Sequence, residues 1–539
     1  MKIKKIAMSI SMIAYGINFG VSASSDTVYE SGSREFASFL TYSEKYNTSS
    51  NFVVTGSGTS IAAKYTNTLP LSGTISIGNG AASGDKEAYM QVQNGATVLA
   101  EQNIFIGSDN SLSSYIVVSG NGSSLTSPQI RVGNAGGGKN NILNIIDGGK
   151  VNSFDVYTGY GAEGTINVQG NGSALTVKPG RDAAGTPFQQ LTIGSQGFIG
   201  ELNVSDGGIV NVSNGALLSM GGTGYGRGGT GYLNISNGGI VNADMLAAGN
   251  SNDNSDTAIT VMGEGSALNV NTFYLGADEG TAKTTVTDGA SITVADKLYL
   301  ATSSAGTTEM IISNGGKLSI GGQNGIVYGG SSIPPLFTLD GGILQAYKST
   351  LTSSIDINLN GNSISSLDTN SVGMSLSGII AGTGSLQKLG DGTLILGGNN
   401  TYTGDTLIEK GTLKTGVENA IMTSHSLVVN SGASLDLGGY NQQVNALSGK
   451  GEILLGDNTL TENNTAGTAT TFSGKISGRG GISKNGEGSF ILSGTNTYTG
   501  TTTVSRGTLK TGVEDTFAST SGVTVAEGAT LNLSGNSQT

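Results

Sequence analysis

The sequence predicts an all-β protein, a right-handed parallel β-helix drawn out as a single elongated rod. Three observations predict it. A glycine-centred turn recurs at Gly95, Gly122, Gly148, Gly172, Gly207, Gly238, Gly265, Gly289, Gly315 and Gly341, at intervals of 24 to 35 residues. The flanks of each turn alternate apolar and polar. Segments of helical period are nearly absent. A repeat of about 26 residues holds three short strands and three turns, one coil of such a helix. A propeller blade needs ~40–45 residues, and a leucine-rich repeat brings a helix or its own asparagine signature. One copy cannot bury enough apolar area to fold alone. Equivalent strands therefore stack at ~4.8 Å and bury their aliphatic side chains in continuous files.

Composition narrows the chemistry. Of 539 residues 89 are Gly, with no Cys, no Trp, one His, six Pro and a formal net charge of -12. Cys-ligated zinc, iron–sulfur clusters and disulfide frameworks are excluded. A single histidine excludes a multi-histidine metal site, and any histidine-based catalytic triad that does not use His425. Lys and Arg are too few and scattered for a nucleic-acid footprint. No metal, cofactor or nucleic-acid partner is expected.

Residues 1–23 read as a signal peptide. Lys2, Lys4 and Lys5 form the positive start, residues 6–21 are mostly apolar, and Val21-Ser22-Ala23 supplies the small-residue exit. Its removal takes three Lys and no acid, so the charge moves from -12 to -15. No later stretch approaches the ~18–20 apolar residues of a membrane helix. Residues 24–84 are expected to hold a capping region and the first coils. Within them, residues 33–46 place Phe36, Phe39, Leu40 and Tyr46 on one helical face, and read as a cap over the open end of the stack.

Residues 85–345 form the glycine-turn solenoid. Two turn variants alternate, D/N-G-G/A as at Asp147-Gly148-Gly149 and G-x-G-S-x-L as at Gly120 to Leu125. Gly, Asn and Asp tolerate the positive φ that such turns demand. Inward positions carry Ile145, Val204, Ile235, Val286 and Ile312 before the turn, and Val151, Val210, Val241, Ile292 and Leu318 after it. A second inward position holds Leu143, Leu202, Leu233, Thr284 and Met310. Asn144, Asn203, Asn234, Asn152, Asn211 and Asn242 fall between them and face outward. The two longest intervals contain residues 178–190 and 221–232. Loops carried on a rigid solenoid are where binding concentrates, so Arg181, Asp182, Tyr225, Arg227 and Tyr232 are candidate binding residues.

Residues 346–375 read as a connecting coil. Residues 376–539 hold two copies of one unit, offset by 96 residues. Gly390, Gly392 and Leu394 precede Asn400-Thr401-Tyr402-Thr403-Gly404, then Thr406, Gly411 and Leu413. Gly486 and Gly488 precede Asn496-Thr497-Tyr498-Thr499-Gly500, then Thr502, Gly507 and Leu509. Gln442 and Gln538 match at the same offset. The second copy stops at Thr539 where the first continues, so a fragment or truncated product is expected.

The pattern G-x-G-x-L/F-x-L, N-T-Y-T-G-x-T, G-T-L over residues 386–416 and 482–512 resembles the passenger-associated transport repeat of bacterial autotransporters, the type V secretion class. The resemblance implies a surface-exported passenger of pectin-lyase-like topology, with repeats associated with its folding and transport. It also implies an outer-membrane translocator barrel beyond the C-terminus of this sequence. The protease motif G-D-S-G of some such passengers is absent.

Isolated candidates carry little chemistry. His425, in Thr423-Ser424-His425-Ser426, reads as a solvated loop histidine. Tyr402 and Tyr498 occupy identical repeat positions and read as wall or turn packing rather than ligand stacking. Asp253 and Asp256 are near in sequence, but paired-acid glycan hydrolysis needs both in a groove. Residues 224–229 match G-x-G-x-x-G without the strand–helix context of a dinucleotide site. The expected function is non-catalytic: an adhesin or self-association passenger that meets a host surface, a matrix ligand or another copy of itself. The alternatives are a polysaccharide-degrading surface enzyme and an inert stalk.

Overall fold

In the computed structural model, residues 27–538 are described apart from 30–31, 37–39, 42–50, 64–72, 79–86, 108–112, 135–139, 182–186, 223–226, 252–254, 303–305, 324, 362 and 518–521. The segment read as a signal peptide lies outside the described residues. Among the described residues every regular element is a strand and none is a helix. Among these residues all strand pairings are parallel except one short antiparallel pair, Gly180–Arg181 with Pro187–Phe188, and an isolated bridge between Ser313 and Gly341.

The chain winds into a parallel β-helix with three faces. One face is a file of 14 strands, from Thr27–Tyr29 to Ile380–Gly382. The other two are joined by strands that bend at the corner between them. Ser124–Val132 pairs with Thr97–Ala100 through its first half and with Asn103–Ile106 through its second. Ile209–Met220 pairs likewise with Ala174–Val177 and then Gln190–Ile193.

Register explains the core. Ile116, Leu143, Ile166, Leu202, Leu233, Ile259, Thr284, Met310 and Phe337 are successive partners down one inward file, all buried. Val151, Leu175, Val210, Val241, Leu268, Ile292 and Leu318 form another. Alternation along each strand thus becomes continuity along the rod. Thr284 is the one polar residue in its file, and its hydroxyl has no hydrogen-bond partner among the described residues.

The turns show why two variants alternate. All ten predicted turn glycines take positive φ, between 75° and 91°. In the D/N-G variant Asp147 (φ 52°) is also left-handed, and Gly149 N–H donates to Ile146 O at 3.0 Å, a type I′ geometry. In the G-x-G-S variant Gly122 takes positive φ after Asn121 and Ser123 N–H donates to Gly120 O at 3.1 Å, a type II geometry, while Gly120, which opens the turn, is left-handed as well (φ 86°). The serine then serves the coil before it. Gly95 N–H donates to Ser123 Oγ at 2.9 Å, Gly148 N–H to Ser173 Oγ at 3.0 Å and Gly238 N–H to Ser266 Oγ at 3.0 Å. Each serine variant satisfies an otherwise open turn amide one coil away.

The helical cap expected at 33–46 is corrected. Ser33–Phe36 is a strand paired with Ser60–Ala63, and Leu40–Thr41 pairs with Ile75–Ile77. Phe39 and Tyr46 lie outside the described residues. A short helix is marginal by itself, whereas the edge of a coil stack offers this segment ready backbone partners. Residues 346–375 contain three whole strands, Leu351–Ser353, Ile357–Leu359 and Ile364–Asp368, one on each face, and the start of a fourth, Met374–Leu376. Beyond them the coil tightens. Register partners 26 residues apart at Thr230 and Asp256 give way to partners 20 apart at Leu386 and Thr406.

Candidate binding groove and the transport-repeat cores

The corner where strands bend is also where the surface is concave. A groove of about 330 Å³ runs across rungs of successive coils. Asn211, Asn242 and Asn269 are register partners on its floor. Asn242 Nδ2 donates to Asn211 Oδ1 at 2.9 Å, and Asn269 Nδ2 donates to Asn242 Oδ1 at 2.9 Å. Beside them Asp244 accepts from Asn271 Nδ2 at 3.2 Å and from Gly215 N–H at 2.8 Å. The small residues Ser213, Ala243 and Ala295 keep the corner open. Tyr347 and Lys348 arrive from a later coil to wall one end, with Lys348 Nζ 5.1 Å from the Tyr347 ring centroid. A second Asn ladder, Asn144, Asn167, Asn203 and Asn234, runs along the first face with bonds of 2.8 to 3.0 Å.

The two 96-offset units build matching interiors. Asn400 and Asn496 are buried side chains that bridge three coils. Asn400 Oδ1 accepts from Ile380 N–H at 2.8 Å while its Nδ2 donates to Ala420 O at 3.0 Å. Asn496 repeats this with Ile476 and Thr516, at 3.0 and 3.3 Å. Gln442 then accepts from Ala420 N–H at 2.9 Å, and Gln538 from Phe517 N–H at 3.2 Å. Side-chain amides thus replace the missing ladder where the chain turns. Tyr402 and Tyr498 are buried in the core, each hydroxyl within 2.7 Å of the repeat threonine, Thr406 or Thr502. Burial pushes each phenol up to about 12. Leu394, Leu413 and Leu509 are core residues, and Thr401 and Thr497 face outward. Gly390, Gly392, Gly404, Gly411, Gly486, Gly488, Gly500 and Gly507 lie where coils approach closely, each with a backbone atom of another coil within 3 Å of where a Cβ would stand. A Cβ on Gly404 would stand 2.3 Å from Gly384 O.

The motif reading missed a buried lysine in each copy. Lys388 and Lys484 are 0% exposed. Lys388 Nζ donates to Thr369 Oγ1, Leu389 O, Gly390 O and Lys410 O at 2.8 to 3.0 Å. Lys484 Nζ donates to Gly486 O and lies 3.3 Å from Oε2 of its register partner Glu462, itself 1% exposed. Burial pulls Lys388 down to about 8 and pushes Glu462 up to about 7. The signal was present: each lysine shares the inward parity of its strand, and the two match at the offset of 96.

Three of the loop candidates, Arg181, Arg227 and Tyr232, fall among the described residues. Arg181 sits exposed in the short antiparallel pair, and Asp182 and Tyr225 lie outside the described residues. The Arg227 carbonyl accepts from Gln196 N–H at 2.8 Å, tying that excursion to the coil before it, while the side chain is exposed. Tyr232 is not on a loop; it lies within the strand Thr230–Ser236, facing out beside Glu201. Arg181, Arg227 and Tyr232 are not among the residues that line the groove. His425 is exposed, with Nδ1 2.8 Å from Asp405 Oδ1, and Ser426 Oγ donates to that oxygen at 2.6 Å. The Ser426 bond chiefly holds the Asp405 carboxyl below its usual range. Hydroxyl and imidazole meet on the carboxylate, so the ring does not stand as base to the serine. Asp253 lies outside the described residues. Among the described residues no group of three His, Cys, Asp or Glu is placed to hold a metal.

A parallel β-helix whose later coils carry these two amide-and-tyrosine cores defines a class. Residues 386–414 and 482–510 match the passenger-associated-transport-repeat family, so the chain carries two copies of that repeat. It is similar to the adhesin BmaC autotransporter of Brucella suis biovar 1 (strain 1330), with 36% identity over 217 residues. That match takes in 38% of this chain and 6% of the relative, so the chain spans a small part of the relative's length.

Proposed function

We propose that the chain is an adhesive passenger, exported to the bacterial surface and acting there by non-catalytic binding to a host surface, a matrix ligand or a second copy of itself. The observation that carries this reading is the lateral groove of ordered amides on a rigid coil stack. It presents hydrogen-bonding groups without a nucleophile–base arrangement beside them. The similarity to an adhesin autotransporter supports it. The translocator barrel that would display the passenger belongs to this proposal, as does the signal peptide at 1–23. Fusing the chain to a translocator barrel in a non-adherent, non-aggregating bacterium tests it. Surface display should produce adhesion to cell monolayers or matrix-coated wells, or settling of the culture by self-association. Displayed chain that does neither would overturn the reading.

A further inference from the structure

The groove has a specific chemical complement, and naming it rests on the adhesive reading above. Each amide has two donor hydrogens and two acceptor sites. In Asn242 the ladder uses one donor, toward Asn211, and one acceptor site, from Asn269. One N–H and one lone pair remain beside each other on that rung. Neighbouring hydroxyls of a sugar, one donating and one accepting, are their natural partners. Both ladder bonds run the same way, from the later coil to the earlier, so the amides are already oriented and lose little freedom on binding.

Charge and shape narrow the ligand further. The chain as a whole carries -12, yet the groove brings one acid, Asp244, and one base, Lys348. Asp244 is held by Asn271 and by Gly215 N–H, which fixes its remaining acceptor capacity. A polyanion would meet an acidic molecule with one lysine to receive it, and a polycation would meet that lysine. Tyr347 stands 42% exposed at the groove end with Lys348 over its ring. An aromatic face beside oriented polar groups suits the C–H face of a pyranose. Rungs advance by ~4.8 Å, close to the advance of one pyranose along an extended chain.

We propose that the corner groove formed by Asn211, Asn242, Asp244, Asn269, Asn271 and Tyr347 is a binding site for a neutral polysaccharide. The chain of sugars lies along the rod axis, one unit per rung, with a terminal or internal ring packed on Tyr347. No bond is made or broken.

The test uses the purified full chain with cellohexaose, laminarihexaose, mannohexaose and chitohexaose in titration calorimetry, with heparin and polygalacturonate as charged comparators. At least one neutral hexasaccharide should bind and the charged polymers should not. Tyr347→Ala and Asn271→Ala, both at exposed positions, should each weaken binding on the order of tenfold, and Tyr347→Phe should retain it. Unchanged far-UV circular dichroism checks the fold. If no hexasaccharide binds, or if both alanine variants bind like the wild type, the site is overturned. A preference for heparin or polygalacturonate overturns it too. The displayed chain separates the two readings. Adhesion that no hexasaccharide competes sinks the groove and leaves the adhesive passenger. Sugar binding without adhesion or settling sinks the adhesive passenger and leaves the groove.

Discussion

Asp155 shows how a single residue trades stability against a buried charge. It is 3% exposed, on the far side of the corner from the coil interior, and accepts from Gln129 Nε2 at 3.0 Å. Tyr157 and the Gln190 N–H also face the carboxyl and favour its charged form, but by less than burial opposes it. Nearby, Arg131 lies among rings, 4.2 Å from the Tyr160 centroid and 5.5 Å from that of Phe105, and it draws on Asp155 only weakly. Burial pushes the Asp155 carboxyl from 3.8 up to about 6. Between those values the native state holds a proton that the unfolded chain has released. The neutral acid therefore favours the fold fully below about pH 4, and that contribution is lost as pH rises through about 6. Asp155→Asn keeps an acceptor for Gln129 and removes the charge. Urea midpoints followed from about pH 4 to 8 should show the variant gaining on the wild type across that window, by on the order of 2 kcal/mol at the top. A gap that does not change with pH would contradict the account.

At the scale of the element, the transport-repeat coil is organised around its buried lysine. Four acceptors surround Lys388: besides Thr369 Oγ1 and Leu389 O, which Thr369 N–H also reaches, they are the Gly390 and Lys410 carbonyls. Lys388→Met should strand those carbonyls and cost ~3 kcal/mol or more. Lys484 has exchanged part of that cage for Glu462, which burial has already pushed up to about 7. Lys484→Met leaves a buried acid without its cation, and should be least harmful at acid pH, where Glu462 is neutral. Adding Glu462→Met should recover most of the loss, because an apolar pair of similar volume replaces a costly ion pair. Thermal unfolding of the two single variants and the double variant measures this; a double variant weaker than Lys484→Met would refute it. These coils also show what was readable beforehand. The glycine turns, the inward files and the motif positions follow from local spacing, because φ preference and alternation act within a few residues. The groove does not. Its ladder depends on coils of unequal length coming into register, and Tyr347 reaches it from a later coil, so neither is visible in any one window. The helix expected at 33–46 failed for the same reason: its strand partners, Ser60–Ala63 and Ile75–Ile77, belong to the next coil.

Over the whole molecule, each coil touches mainly its neighbours, so the rod behaves as a one-dimensional stack. The two transport repeats illustrate the geometry. Leu386, Thr406, Leu427 and Leu447 follow one file, whereas Ile482, which matches Leu386 at the offset of 96, lies on the file of Leu460 and Thr502. The offset is not a whole number of coils, and the second repeat presents its strands one face around from the first. Coils of the glycine-turn region, by contrast, superpose face on face. Deleting residues 230–255 removes one complete coil, since Thr230 and Asp256 are register partners. Leu202 would then meet Ile259, and Val210 would meet Leu268, so both inward files stay closed. The shortened chain should fold, with an unchanged β-type circular dichroism spectrum and a loss of only a few degrees in thermal midpoint. Deleting residues 230–242 instead cuts a coil midway, places polar positions in both files, and should give aggregated product. The whole-coil deletion also takes out Asn242 and Asp244, which removes the middle rung of the groove and brings Asn211 against Asn269. Fold and sugar binding therefore part company in one variant: the rod survives by its repetition, and the hexasaccharide affinity falls because a ladder one rung shorter has lost its fixed acid. A folded deletion variant that binds the sugar as the parent does would place the ligand elsewhere on the rod.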